Sequence, residues 1–123
     1  AKDMNRYAIG VDSDQAEIFK TSDPDKAKLI TTSVLKRVDN SLLRAIDLHL
    51  DGKAPWGEVE VLGFQEKAVG FAENAIYKEI VPSEIRDEMK SIEDRIISGE
   101  IVVSSAFGMS SEDLNTVRNS IKP

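Results

Sequence analysis

The chain has 123 residues, enough for one modest domain with a hydrophobic core, and its 41% hydrophobic and 31% charged residues are typical of a globular protein. Its net charge of −6 argues against a nucleic-acid-binding surface, because the 16 basic residues alternate with 22 acidic ones instead of clustering. Since the chain has no cysteine, thiol catalysis, disulfides and thiolate metal sites are excluded.

The first apolar run is followed at once by two acidic residues. Residues 7–11 favour a buried strand, and Asp12 and Asp14 come directly after it. Because ligands of open α/β sheets bind outside the carboxyl ends of the strands, both carboxylates are candidates for a binding site. The competing interpretation is that they only turn the chain and cap the next element. A calcium loop of the EF-hand type is excluded, since Glu17 stands where that loop requires glycine.

A second strand and a helix follow a polar stretch with a turn. The β-branched run at residues 29–35 predicts the strand, which ends in Lys36. Residues 39–50 predict an amphipathic helix with Asp39 as its N-cap. His49, the only histidine, lies near the end of this helix. Because the chain has no second histidine and no cysteine to make a metal site or a triad with it, a structural role is expected.

The second half of the chain predicts a hairpin and two helices. The alternating residues 58–62 and the run 68–72 favour paired strands. A helix is expected to begin at Pro82, and a short one at Ser110. The stripe of the first helix consists of Ile85, Met89, Ile92 and Ile96. These strands are too few for a complete parallel-sheet protein, and we therefore expect a fragment.

The candidate chemistry is recognition of a polyol without turnover. A carboxylate, at Asp12 or Asp14, accepts two hydrogen bonds from a vicinal diol. A nearby ammonium, at Lys36, donates to ligand oxygens and keeps the carboxylate ionised. The competing interpretation is a surface ion pair worth less than about 1 kcal/mol. No phosphate-binding glycine motif and no nucleophile–histidine pair points to catalysis.

Four motifs, in order, resemble the basic membrane lipoprotein family, the nucleoside-binding proteins of bacterial ABC transporters. The first two are Ile-Gly-Val-Asp-Ser-Asp-Gln at 9–15 and Thr-Ser-Val-Leu-Lys-Arg-Val-Asp-Asn at 32–40. The others lie within residues 61–72 and 81–101. The resemblance covers roughly the last third of the family's length.

The resemblance implies an α/β fold, the C-terminal portion of a type I periplasmic binding protein. That fold has three αβα layers, a mainly parallel sheet and a late β-hairpin. Residues 1–105 would be the C-terminal segment of the substrate-binding domain, and residues 106–123 a helical tail. By resemblance, Asp12 binds the ribose hydroxyls of a purine-type nucleoside, Asp14 is the second choice, and Lys36 assists.

The same resemblance implies a transport protein that needs no cofactor or metal. Its partners would be a purine nucleoside, an ABC permease in the membrane, and the remainder of the two-lobe protein, but no nucleic acid. It would be an extracytoplasmic lipoprotein anchored to the membrane. The alternative is a ligand-sensing regulator of the same family that feeds no permease. A nucleoside hydrolase using the Asp pair is disfavoured, because such chemistry usually needs a metal ion.

Overall fold

Within the residues that the structure describes, three short strands form a mixed sheet: β1 (Ala8–Asp12), β2 (Ile30–Lys36) and β3 (Val69–Phe71). The computed structural model describes residues 6–106 and 108–122. Residues 1–5 of the predicted segment 1–105, and residues 107 and 123 of the predicted segment 106–123, lie outside the described part. β2 is central, parallel to β1 and antiparallel to β3. This arrangement confirms the expected α/β class.

Six helices accompany the sheet in the described part of the chain. In chain order they are α1 (Gln15–Phe19), α2 (Pro24–Ala27), α3 (Val38–Leu50), α4 (Ala75–Ile80), α5 (Ser83–Ile97) and α6 (Ser111–Ser120). Helices α1 and α4 pack on β2, the central strand. Within residues 6–106 and 108–122, none of these helices has the length and apolar character needed to cross a membrane.

The core is small and lies around the centre of β2. Its buried apolar residues are mostly alanines: Ala16, Ala27, Ile30, Ala68, Ala72 and Tyr77. Ser33 of β2 is completely buried. Short side chains let helix α1 and the chain after β3 approach β2 closely.

The elements next to the predicted site are close to the prediction. Strands β1 and β2 lie within one residue of their predicted bounds. Helix α3 begins at Val38, so the prediction that Asp39 is its N-cap is wrong; Arg37 holds that position without a side-chain cap. The Arg37 N–H donates to the Ala68 carbonyl at 2.8 Å, which extends the β2–β3 pairing up to the helix.

The predicted hairpin is wrong in its pairing. Residues 58–62 form no strand, and β3 pairs with β2 instead. Val59 and Val61 are 94% and 95% exposed, so the alternation there marks an apolar face with no partner in the described chain. A 2.7 Å ion pair between Arg44 and Glu60 fastens this segment to α3.

The later helices follow the prediction. Helix α5 begins directly after Pro82, and Ser110 caps α6 by accepting from the Asp113 N–H at 3.1 Å. Apolar side chains of α3 stay exposed, among them Leu42 and Leu43. The described residues therefore leave an apolar part of the α3 surface uncovered.

Candidate functional site

Asp12 and Lys36 meet where the parallel strands β1 and β2 end. Lys36 Nζ lies 3.1 Å from Asp12 Oδ1, and the two side chains are 67% and 63% exposed, respectively. The approach expected from the sequence is thus present, because parallel strands bring their carboxyl ends to one edge of a sheet. No cleft encloses the pair within the described residues. The cavity of about 640 Å³ beside β1 is lined by other side chains, including Gln15 and Phe19.

The backbone of Asp12 is in the left-handed region, with φ of 71°. This conformation is uncommon outside glycine, although aspartate tolerates it better than most residues. Two hydrogen bonds to the Val11 carbonyl close the turn: the Ser13 N–H at 3.0 Å and Gln15 Nε2 at 3.1 Å. The turn, and not the strand itself, presents the Asp12 carboxylate.

Asp14 is engaged by the fold. Its Oδ1 caps α1 by accepting from the Glu17 N–H at 3.3 Å. Asn74 Nδ2 donates to both of its carboxylate oxygens, at 2.9 and 3.0 Å. The turn-and-cap interpretation considered for the acidic pair therefore describes the contacts of Asp14. Among the described residues, Asp12 has the exposed Lys36 as its one ion-pair partner.

Sequence reasoning missed Asn74 and Ser33. Asn74 precedes α4 and accepts from the Tyr77 N–H at 2.9 Å, a cap that the small polar residue type could have indicated. Its bond to Asp14 spans 60 residues, and no local pattern encodes it. Ser33 Oγ accepts from the Gln15 N–H at 3.1 Å, so a buried strand residue holds the start of α1.

Gly10 makes the contact between β1 and α1 possible. A Cβ at this position would overlap the Ser33 hydroxyl and would lie 2.6 Å from Gln15 Cγ. Only glycine lets β1 pass so close to both groups. The glycine of the first motif thus serves the turn that carries Asp12.

His49 and the acidic side chains are the other residues to consider for a site. The His49 ring packs edge-on against Trp56, with centroids 5.6 Å apart, as its expected structural role requires. Across residues 6–106 and 108–122, no group of three or more His, Asp or Glu side chains could hold a metal ion.

Comparison with known proteins places this geometry in a family context. Residues 1–102 match the model of the family described as ABC transporter substrate-binding protein PnrA-like. A solved transcriptional activator of the comK gene from Bacillus halodurans is similar, with TM-score 0.64 and 24% identity. This similarity covers 84% of the present chain and 32% of the activator.

A second solved structure is also similar to this chain. The ABC transporter solute-binding protein from Aeropyrum pernix K1 has TM-score 0.63 and 19% identity, over 93% of this chain and 36% of that one. The chain thus spans about a third of the length of these solved proteins. At such identities the two similarities show the fold alone.

Proposed function

The chain belongs to the family of PnrA-like ABC transporter substrate-binding proteins, and from that membership we propose that Asp12 and Lys36 bind the ribose hydroxyls of a purine-type nucleoside. The family consists of solute-binding proteins and not of enzymes. The observation that carries the proposal is the exposed 3.1 Å pair at the carboxyl ends of two parallel strands.

The pair keeps free hydrogen-bonding capacity for a ligand. Lys36 Nζ has three donors, and Asp12 Oδ1 is its only partner within the described part of the chain. Asp12 Oδ2 accepts no hydrogen bond from the described residues, so it is open to a ligand hydroxyl. A vicinal diol can donate to the carboxylate and accept from the ammonium at the same time.

The wider assignment follows from the family. We propose that the whole protein is an extracytoplasmic, lipid-anchored component that delivers the nucleoside to an ABC permease, with the remainder of a two-lobe fold closing over the ligand. A regulator that feeds no permease is not favoured, because the matching family model describes a transport component. The similarity to the solved activator does not extend beyond the fold.

The direct test is a nucleoside titration of the chain followed by two-dimensional NMR. Adenosine at millimolar concentration is expected to shift the amide signals at the ends of β1 and β2. Asp12→Ala should abolish these shifts, because a carboxylate that accepts two hydroxyl hydrogen bonds contributes about 3 kcal/mol, or roughly a hundredfold in affinity. With the wild-type chain, 2′,3′-dideoxyadenosine, which lacks the diol, should cause no such shifts.

The matched control is Asp51→Ala. Asp51 and Lys53 form a comparable exposed pair at 3.3 Å, away from the strand ends. This variant should titrate as the wild type does. Binding that survives Asp12→Ala, equal shifts with the dideoxynucleoside, or the absence of any shift with the wild-type chain would each contradict the proposal.

A further inference from the structure

We propose that Asn74 is a positioning residue that fixes the turn at residues 12–14, so that Asp12 presents its carboxylate beside Lys36. The effect on ligand affinity rests on the proposed function; the effect on the turn does not. In the part of the chain that the structure describes, Asn74 forms no hydrogen bond with Asp12 or Lys36, and it acts through Asp14.

Both ends of the Asn74 amide are used. Nδ2 donates to Oδ1 and Oδ2 of Asp14 at 2.9 and 3.0 Å, and Oδ1 accepts from the Tyr77 N–H at 2.9 Å. Asp14 in turn caps α1 through the Glu17 N–H. One amide–carboxylate pair therefore links the first turns of two helices that belong to distant parts of the sequence.

A second set of hydrogen bonds, made by Ser33, connects the start of α1 to the segment before Asn74. Its hydroxyl oxygen accepts from the Gln15 N–H at 3.1 Å, and its carbonyl accepts from the Ala72 N–H at 2.9 Å. Gln15 follows Asp14, and Ala72 lies two residues before Asn74. The hydrogen bonds thus close a ring that runs from Asp14 through Ser33 to Asn74 and back.

Two further contacts fix the residues on either side of Asn74 in the sequence. Thr32 Oγ1 donates to the Ala72 carbonyl at 2.8 Å. The Tyr77 ring is buried and packs against Phe71 of β3, with centroids 5.8 Å apart. Helix α4, and with it Asn74, therefore has a fixed position on the sheet.

Asp12 needs such support. Its left-handed backbone is costly and persists only where the surrounding structure imposes it. Lys36, its ion-pair partner in the described part of the chain, is exposed, and such a pair is too weak to impose a backbone conformation. The Asp14–Asn74 contact, two residues away, is one of two long-range links, with the Gln15–Ser33 hydrogen bond, that hold the turn against the rest of the sheet.

The test uses Asn74→Asp, which keeps the N-cap of α4 but removes the hydrogen bonds from Asn74 to Asp14. Aspartate caps a helix as well as asparagine does, so α4 keeps its cap, but the donor to Asp14 is lost and two carboxylates face each other. The three-bond amide–Hα coupling of Asp12, which reports its φ angle, should change. Adenosine affinity should fall about tenfold, within the range of coupling between residues that share a network.

Two further variants make the result specific. The double variant Asp14→Asn with Asn74→Asp exchanges donor and acceptor and keeps both caps, so it should restore the Asp12 coupling and the affinity. Asn40→Asp makes the same chemical change where an amide donates to the Lys67 carbonyl at 2.8 Å, and it should leave the Asp12 coupling unaltered.

The outcomes distinguish this proposal from the proposed function. An unchanged Asp12 coupling in Asn74→Asp, or a change that the exchanged double variant does not reverse, overturns the positioning role. A wild-type chain that does not bind adenosine overturns the nucleoside site, and the Asp12 coupling still decides the role of Asn74. A folded Asn74→Asp variant, verified by circular dichroism, excludes general unfolding as the cause.

Discussion

Lys36 reaches the carboxylate of Asp12 at 3.1 Å, although the register of the parallel strands places Leu35 opposite Asp12. Successive side chains of a strand alternate between the two faces of a sheet, so regular strand geometry would not align these two groups. The left-handed backbone of Asp12 departs from that geometry at the last residue of the strand. The ion pair is thus a property of the turn as much as of the sheet.

Lys36→Met should separate binding from stability. Because an exposed ion pair contributes no more than about 1 kcal/mol, the free energy of unfolding in urea should change by less than that. The nucleoside-induced NMR shifts should nevertheless weaken strongly. Lys53→Met, which removes the comparable pair with Asp51, is the control and should spare the shifts. A large loss of stability in Lys36→Met would show that the pair serves the fold.

Gly10→Ala should destabilise the chain by about 1–3 kcal/mol, the usual cost of overpacking a tight contact. The added methyl group would overlap the Ser33 hydroxyl and the Gln15 side chain. Urea denaturation measures the effect. Gly63→Ala is the matched control, since its Cβ would lie 3.9 Å from the nearest atom, Glu66 Oε2, an ordinary contact distance. Equal stability of the two variants would contradict the close packing of β1 on α1.

Tyr77→Phe should be neutral or stabilising by up to about 1 kcal/mol, because the variant removes a buried polar group that has no partner. The hydroxyl of Tyr77 is buried and finds no hydrogen-bond partner among the described residues. Burial, followed by the charge of Glu73, raises the pKa of this phenol. Thermal unfolding, with the exposed Tyr7→Phe as control, measures the change. A clear loss of stability would mean that the hydroxyl is satisfied in solution.

Glu66 should make stability depend on pH in the acidic range. Its Oε2 accepts from the Gly63 N–H at 2.8 Å, and this hydrogen bond is the main cause that lowers the pKa of Glu66 below its ordinary 4.5. Since the folded pKa is the lower one, the carboxylate stabilises the fold above 4.5 and loses this contribution as the pH falls through the folded value.

The corresponding variant is Glu66→Gln. It should be less stable than the wild type at neutral pH, and the difference should shrink in urea unfolding well below pH 4.5. A difference that stays constant with pH would show that the ionised form of Glu66 is not what stabilises the loop.

The isolated chain should self-associate through the apolar face of α3. Its side chains Val38, Leu42, Leu43, Ile46 and Leu50 are exposed. A contiguous apolar surface of this kind is unusual on a monomer. Light scattering should therefore show particles larger than 13.6 kDa, and Leu43→Glu should reduce them. A compact wild-type monomer that binds adenosine with micromolar affinity would mean that the chain is a complete binding unit.

The parts of the site that follow from local pattern could be predicted from the sequence. Strand β1 follows a short apolar run and β2 a β-branched one, and their parallel arrangement brings Asp12 and Lys36 to one edge. The helices α1, α2 and α4 were missed because they have only 5, 4 and 6 residues, too short for a helical period to show. Their starts depend on the caps Asp14, Asp23 and Asn74.

The partner of β3 could not be read from the sequence either. The alternation at 58–62 is as regular as that of a paired strand, but its apolar side chains face solvent. Pairing with β2 is decided by contacts between residues far apart, such as Leu35 and Gly70. The Asp14–Asn74 link depends on that pairing and was missed with it.

The Asp14–Asn74 bond also sets an order of events during synthesis. A ribosome releases the chain from its N-terminus, and contacts between distant residues form only after the intervening loop closes. Asn74 lies 60 residues after Asp14, so β1, α1 and β2 leave the ribosome well before the Asp14–Asn74 hydrogen bond can form. The Asp14–Asn74 hydrogen bond can form only when the chain beyond β3 has left the exit tunnel. In the nascent protein, the strand ends that carry Asp12 and Lys36 are thus synthesised before the Asp14–Asn74 bond can form.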